Sequence, residues 1–174
     1  MFPAGFKPAN TLSVGMVVLR GTPLCVDMDT LTAGVVKVAT ILDGGTTTKP
    51  RVGKGHYFAV GDVVMKVGKT DLTVTVSAID KSNVDYDIIT FSSALTTLTK
   101  GDVITEAVAG DTATERYIPN AVVAADLEVK DKLDTLDAAY EALVIKNAVP
   151  YPILNSWVVG LCLKNNPNIM FIKQ

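Results

Sequence analysis

The sequence predicts a mostly β fold: a small β-barrel or curled antiparallel sheet, with an extended N-terminal arm and one short C-terminal helix. Three observations predict it. The chain is rich in Thr, Val, Ala and Gly with only 20% charged residues, a composition that suits pleated, half-buried surfaces. Its apolar residues fall in short runs bounded by Gly, Pro, Asn and Asp. A helical stripe stands out in one place only, Leu154, Trp157, Val158, Leu161 and Cys162.

Residues 1–13 carry Pro3, Gly5 and Pro8 without sustained periodicity, and read as an extended arm outside any ladder, available to a partner. The rest, 14–174, reads as one β-rich domain, barrel-like over about 14–110 with a C-terminal part over about 111–174. Met16–Arg20 and Leu24–Asp27 form two short strands around the Gly21-Thr22-Pro23 turn, and Val35–Leu42 forms a third. Asp43–Pro50 is a loop, because glycine pairs and a proline interrupt a strand interior. Further strands are expected at Tyr57–Val60, Val63–Lys66, Leu72–Asp80, Ile88–Phe91 and Val103–Glu106. Val60-Gly61-Asp62-Val63-Val64 and Lys100-Gly101-Asp102-Val103-Ile104 are two similar strand entries, in which glycine supplies a positive φ and aspartate bonds nearby amides.

Beyond Asp111 the pattern over 136–147 fits a helix through Leu136, Tyr140 and Leu143, and equally one face of a strand. Pro152 before the Leu154–Cys162 stripe, and Asn165, Asn166 and Pro167 after it, delimit the short helix. Trp157 sits on that stripe and reads as its anchor to the sheet, with an interface contact as the alternative. Ile169–Ile172 closes the chain as a buried strand.

At 174 residues the chain buries a sizeable core, about 70% of its unfolded surface. Sixteen Lys and Arg against 18 Asp and Glu leave a charge of −2, which provides no electrostatic footprint for nucleic acid or an anionic membrane. The first residues lack the pattern of a signal peptide, so cytoplasmic synthesis is expected. Cys25 and Cys162 are expected to be reduced and buried.

No catalytic, cofactor-binding or metal site is assigned. A Cys25–His56 dyad is formally possible, but no local signal activates Cys25. One histidine and two distant cysteines do not suit zinc. Asp27-Met28-Asp29 and Asp80–Asp87 miss the calcium-loop offsets, and the second reads as a polar turn with Asn83 at its tip. Gly44–His56 misses the phosphate-loop pattern, since Thr48 stands at the first glycine position and Gly55 follows Lys54. It reads as a solvated basic loop or a basic patch facing an acidic neighbour. Asp85 with Asp87, and Asp134 with Asp137, read as solvated turn residues.

Several pieces resemble tailed-phage and prophage virion proteins of the head-decoration and head-fibre kind: Phe58–Val64, Thr75–Asp87, Gly101–Ala107, Tyr117–Asn120 and Ala142–Pro150. Together they span about half the chain. The resemblance to lambda-type decoration proteins implies a β-rich body, a non-enzymatic role, no cofactor, and homotrimers bound to the major capsid protein on the virion surface. It also implies a strand for 136–147. The chain is longer than the smallest decoration proteins and lacks a repetitive fibre stalk. The alternatives are a β-barrel ligand-binding or accessory enzyme module, or a tail or baseplate component.

Overall fold

The computed structural model describes residues 5–69, 72–95, 97–109, 113–130 and 135–173. It is mostly β, with curled antiparallel sheets. The chain divides into two units: residues 1–36, 117–149 and 153–174 form the first, and residues 37–116 with 150–152 the second. The division differs from the expected barrel-like N-terminal part, because the strands before residue 37 pair with those after residue 116.

In chain order the strands are β1 (Lys7–Pro8), β2 (Val17–Val18), β3 (Pro23–Asp27), β4 (Thr32–Val35), β5 (Val38–Leu42), β6 (Arg51–Gly53), β7 (Val63–Lys66), β8 (Val74–Asp80), β9 (Tyr86–Phe91) and β10 (Val103–Glu106). They continue with β11 (Ala121–Val123), β12 (Leu127–Glu128), β13 (Ala138–Ala139), β14 (Ala142–Ile145), β15 (Val158–Val159), β16 (Cys162–Leu163) and β17 (Asn166–Ile172).

The second unit is a closed antiparallel barrel, β5-β6-β9-β8-β7-β10, with β10 returning to β5. The two-residue period of a strand decides what fills it. Ala39 and Ile41 of β5, Val64 of β7, Val74 and Val76 of β8, Ile89 and Phe91 of β9 and Ile104 of β10 form one buried cluster with Val52, Phe58 and Leu95. A barrel this narrow is filled by its own side chains. The two Gly-Asp entries sit where β7 and β10 begin. Gly61 and Gly101 take φ of 95° and 88°, and Asp62 and Asp102 each accept the amide three residues back, from Ala59 and Thr99, at 2.7 Å.

Among the described residues the first unit contains three sheets, ordered β1-β4-β3-β11-β13, β12-β2 and β14-β17-β16-β15. Two asparagine side chains extend its ladders. Asn120 accepts from Val26 N–H and donates to Val26 C=O, both at 2.8 Å; Asn10 does the same to Val35 at 3.0 and 2.8 Å.

Strands β7 and β10 fall on their expected bounds, β9 and β17 cover the expected segments, and β8 begins two residues after the expected Leu72. Strand β14 bears out a strand within 136–147. Five expectations are corrected. The described part of the arm is in a ladder: β1 pairs in parallel with β4, while Phe6 is buried and exchanges backbone bonds with Leu136 at 2.8 and 2.7 Å. Residues 1–4 lie outside the described residues. The Leu154–Cys162 stripe is one 3-10 turn, Asn155–Trp157, followed by a hairpin, because Gly160 at φ 63° reverses the chain between β15 and β16. Tyr57–Val60 is irregular, and the Gly44–His56 loop contains β6. The single strand expected over Val35–Leu42 is divided into β4 and β5 at Val36-Lys37. Trp157 is 1% exposed, as expected of an anchor, although it anchors a hairpin.

Phe6→Ala and Trp157→Ala should each lower stability by about 3–5 kcal/mol, through lost contact and a residual cavity. Chemical denaturation should show this as an earlier midpoint with little change in slope. Midpoints within error of the parent would mean that these rings are not packed as described.

Candidate interaction surface and buried charges

In the first unit, apolar side chains remain outside the core on the four-stranded sheet. The β15–β16 hairpin pairs Val158 with Leu163 and Val159 with Cys162. Its tip presents Val159, 65% exposed, and Leu161, 49% exposed. The base is rigid, since Lys164 N–H donates to Trp157 C=O at 2.7 Å and Trp157 N–H to Leu154 C=O at 3.1 Å. A protruding tip on a buried tryptophan is a preorganised contact, which spends little entropy on binding.

The other edge of this sheet is β14. It pairs in parallel with β17, and among the described residues no strand lies on its other side. Val144 is buried while Leu143 is 64% exposed. Beside β14 lies a cleft of about 640 Å³ lined by Leu19, Val122, Leu143, Val144 and Val149, with Arg20, Asp126 and Glu141 also on its walls. An unpaired strand edge offers backbone groups as well as apolar surface to a second chain.

In the second unit, the period of β9 places Asp87 on the face of Ile89 and Phe91, and it is buried. Lys54 Nζ bonds its Oδ1, and His56 Nε2 lies 3.1 Å from its Oδ2. That last contact is electrostatic, since Nε2 lacks hydrogen-bond alignment with any partner. His56 Nδ1 accepts the Phe58 amide at 3.2 Å, which puts the neutral ring's proton on Nε2, toward the carboxylate. Burial pushes the His56 pKa down to about 4; the neighbouring Asp87 charge opposes the shift, and Lys81 and Lys54 add to it. The imidazole is therefore a neutral structural group at neutral pH and not the solvated loop histidine the sequence suggested.

Both cysteines are partly exposed and not fully buried as expected, and both are free. Desolvation nonetheless raises the Cys25 pKa, with the Ile118 backbone hydrogen bond opposing it, so its thiolate is disfavoured. His56 Nδ1 is taken by the Phe58 amide and Nε2 faces the Asp87 carboxylate, so neither residue has the features of a Cys25–His56 dyad. Asp27 accepts the Asp29 and Thr30 amides, while Asp80 and Asn83 accept those of Ser82 and Asp85, which are the bonds of polar turns. Asp85 is exposed and Asp87 buried, so the two form no carboxylate pair. Asp134 lies outside the described residues. In the basic loop, Lys49 N–H donates to Thr46 Oγ1 at 2.9 Å, and the Arg51 guanidinium stacks 4.5 Å from the centre of the Tyr86 ring. Among the described residues, no group of three or more His, Cys, Asp or Glu is placed to hold a metal ion.

Sequence reasoning missed the exposed hairpin tip and the buried Asp87. Both had a signal: Gly160 between two large apolar residues suits a tight turn, and Asp87 lies two residues before Ile89. No protein-family model, curated protein or solved structure matches the chain.

The unfolded His56 titrates near 6.5 and the folded one near 4, so the unfolded chain takes up the proton first as pH falls. The contribution is complete above about pH 6.5 and is lost between about 6.5 and about 4, amounting to about 3 kcal/mol. Denaturant midpoints measured across that window should fall, and His56→Gln should flatten the slope. An equal slope in the variant would show that His56 is not the titrating group.

Proposed function

We propose that this chain is a non-enzymatic phage structural protein, a capsid decoration or head-fibre subunit that binds the major capsid protein and stabilises the outer face of the head. The observation that carries the reading is the exposed apolar surface on the first unit, set beside the resemblance of five sequence segments to head-decoration proteins. Val159 and Leu161 at one edge of the sheet, and Leu143 with its cleft at the other, are costly to leave in water.

The first occupant of this surface is a second copy of the chain. The hairpin and β14 lie at opposite edges of one four-stranded sheet, about 14 Å apart at the usual strand spacing. A knob at one edge and a cleft at the other suit a head-to-tail contact, which closes into a ring when the rotation permits. The charges agree: Lys164 is exposed beside the hairpin, and Asp126 and Glu141 are exposed at the cleft. Three copies closed in this way form the homotrimer, whose capsid-facing surface engages the major capsid protein.

Light scattering of the purified chain should give a trimer, and the protein should co-sediment with heads assembled from the major capsid protein alone. Val159→Glu with Leu161→Glu should leave a folded monomer, by circular dichroism, that sediments with heads at least tenfold more weakly. A parent chain that is monomeric at all concentrations and stays in the supernatant would sink the proposal.

A further inference from the structure

One set of buried charges in the barrel serves neither the proposed surface nor the His56 cluster. Lys37 lies two residues before Ala39, Asp62 two before Val64, and Glu106 two after Ile104, so the period turns all three toward the barrel interior. Strand β10 lies between β5 and β7 and runs antiparallel to both. Its last residue, Glu106, pairs with Val64 of β7 and donates its N–H to Lys37 C=O at 3.3 Å, which brings it beside both strand entries. Lys37 is fully buried, Asp62 is 7% exposed and Glu106 2%. Lys37 Nζ lies 2.6 Å from Asp62 Oδ2 and 3.8 Å from Glu106 Oε2. Asp62 Oδ2 also accepts the Ala59 amide at 2.7 Å, and Arg116 Nη1 holds Glu106 Oε1 at 3.1 Å.

We propose that this triad forms an amide crosslink between the Lys37 amine and the Asp62 carboxyl group, with Glu106 as the proton carrier. Glu106 Oε2 relays one proton from the ammonium to Asp62 Oδ1, which makes the carboxyl group neutral, and the freed nitrogen attacks its Cγ after a small rotation of that group. Oδ2, held by the Ala59 amide, carries the developing negative charge and becomes the amide oxygen. Oδ1 leaves as water, carrying two protons from the lysine nitrogen, one of them relayed through Glu106, which is restored. The amide keeps the third hydrogen. An ammonium and a carboxylate thus become an amide and water, with charge balanced and no co-reactant.

Two physical effects favour the step. The partners are held in contact, which for well-aligned intramolecular reactions is equivalent to about 10⁵–10⁸ M. Condensation also removes two charges from a site where each costs desolvation energy, and burial keeps out the water that would reverse it. The barrel holds its own control. Lys66 Nζ lies 2.6 Å from Asp102 Oδ2 at the second Gly-Asp entry, but those side chains are 16% and 20% exposed and Lys66 donates to Thr97 C=O at 2.8 Å. That pair is partly solvated, lies beside a carbonyl where the first has a carboxylate, and remains ionic.

Mass spectrometry of the denatured full chain tests the proposal. The expected mass is that of the sequence less one water, with digestion joining the Lys37 and Asp62 peptides and releasing Lys66 and Asp102 in unmodified ones. Asp62→Asn should still crosslink, losing ammonia in place of water, whereas Asp62→Ala and Glu106→Gln should keep their full masses. Folded parent protein with Lys37 and Asp62 in separate, unmodified peptides would overturn the proposal, whatever the variants do. So would a lost water that maps elsewhere, or a Glu106→Gln chain that is crosslinked as fully as the parent.

Discussion

Closure of the barrel is the constraint on which the rest of the second unit depends. Once β10 pairs with both β5 and β7, every second residue of six short strands faces a space that its own side chains fill. Val, Ile and Phe meet that condition at most positions. At Lys37, Asp62, Asp87 and Glu106 the chain instead turns charge inward, and each charge has an opposite charge in reach. Such pairs add little net stability compared with apolar residues of the same shape. Removing one partner strands the other in low dielectric, so they specify which strand ends can meet. The Gly-Asp entries act at the same places, reversing the chain and tying down the amides that the ladder leaves open.

The elements legible in the sequence were those that local chemistry decides. Val63–Lys66 and Val103–Glu106 follow a glycine in a positive-φ turn and an aspartate that bonds the turn, and Leu72–Ser77 alternates apolar with polar residues; these signals need no distant partner. The less legible elements depend on residues far away. Residues 5–8 have no pattern of their own and become ordered because Leu136 and Thr32 meet them. Arg51–Gly53 is too short to show alternation and is a strand because β5 and β9 flank it. The Trp157 stripe misled for another reason: its apolar residues serve two surfaces, Leu154 and Trp157 being buried while Leu161 is exposed at the hairpin tip.

The buried charges were legible in part. Lys37, Asp62, Asp87 and Glu106 each stand two residues from a core aliphatic residue, and the period alone places them inward. What the sequence could not supply was their meeting, which requires the strand order of the closed barrel. The exposed surface of the first unit was hidden for the opposite reason. Val159 and Leu161 look like core residues until the hairpin is seen to carry them outward.

The discontinuity of the first unit has a consequence for synthesis. Its strands β1 to β4 leave the ribosome before the barrel does, but β3 must wait for β11, Phe6 for Leu136, and β14 for β17. Apart from residues 150–152, the barrel is contiguous in the chain and has most of its partners as soon as Arg116 emerges. Translation therefore orders the assembly: the inserted unit has most of its partners while the β3–β4 hairpin still lacks β11, and the sheet that carries the exposed hairpin needs Asn166–Ile172. Until then the apolar residues of β3 and β4 are a temporary aggregation risk, limited by the time needed to translate the remaining residues.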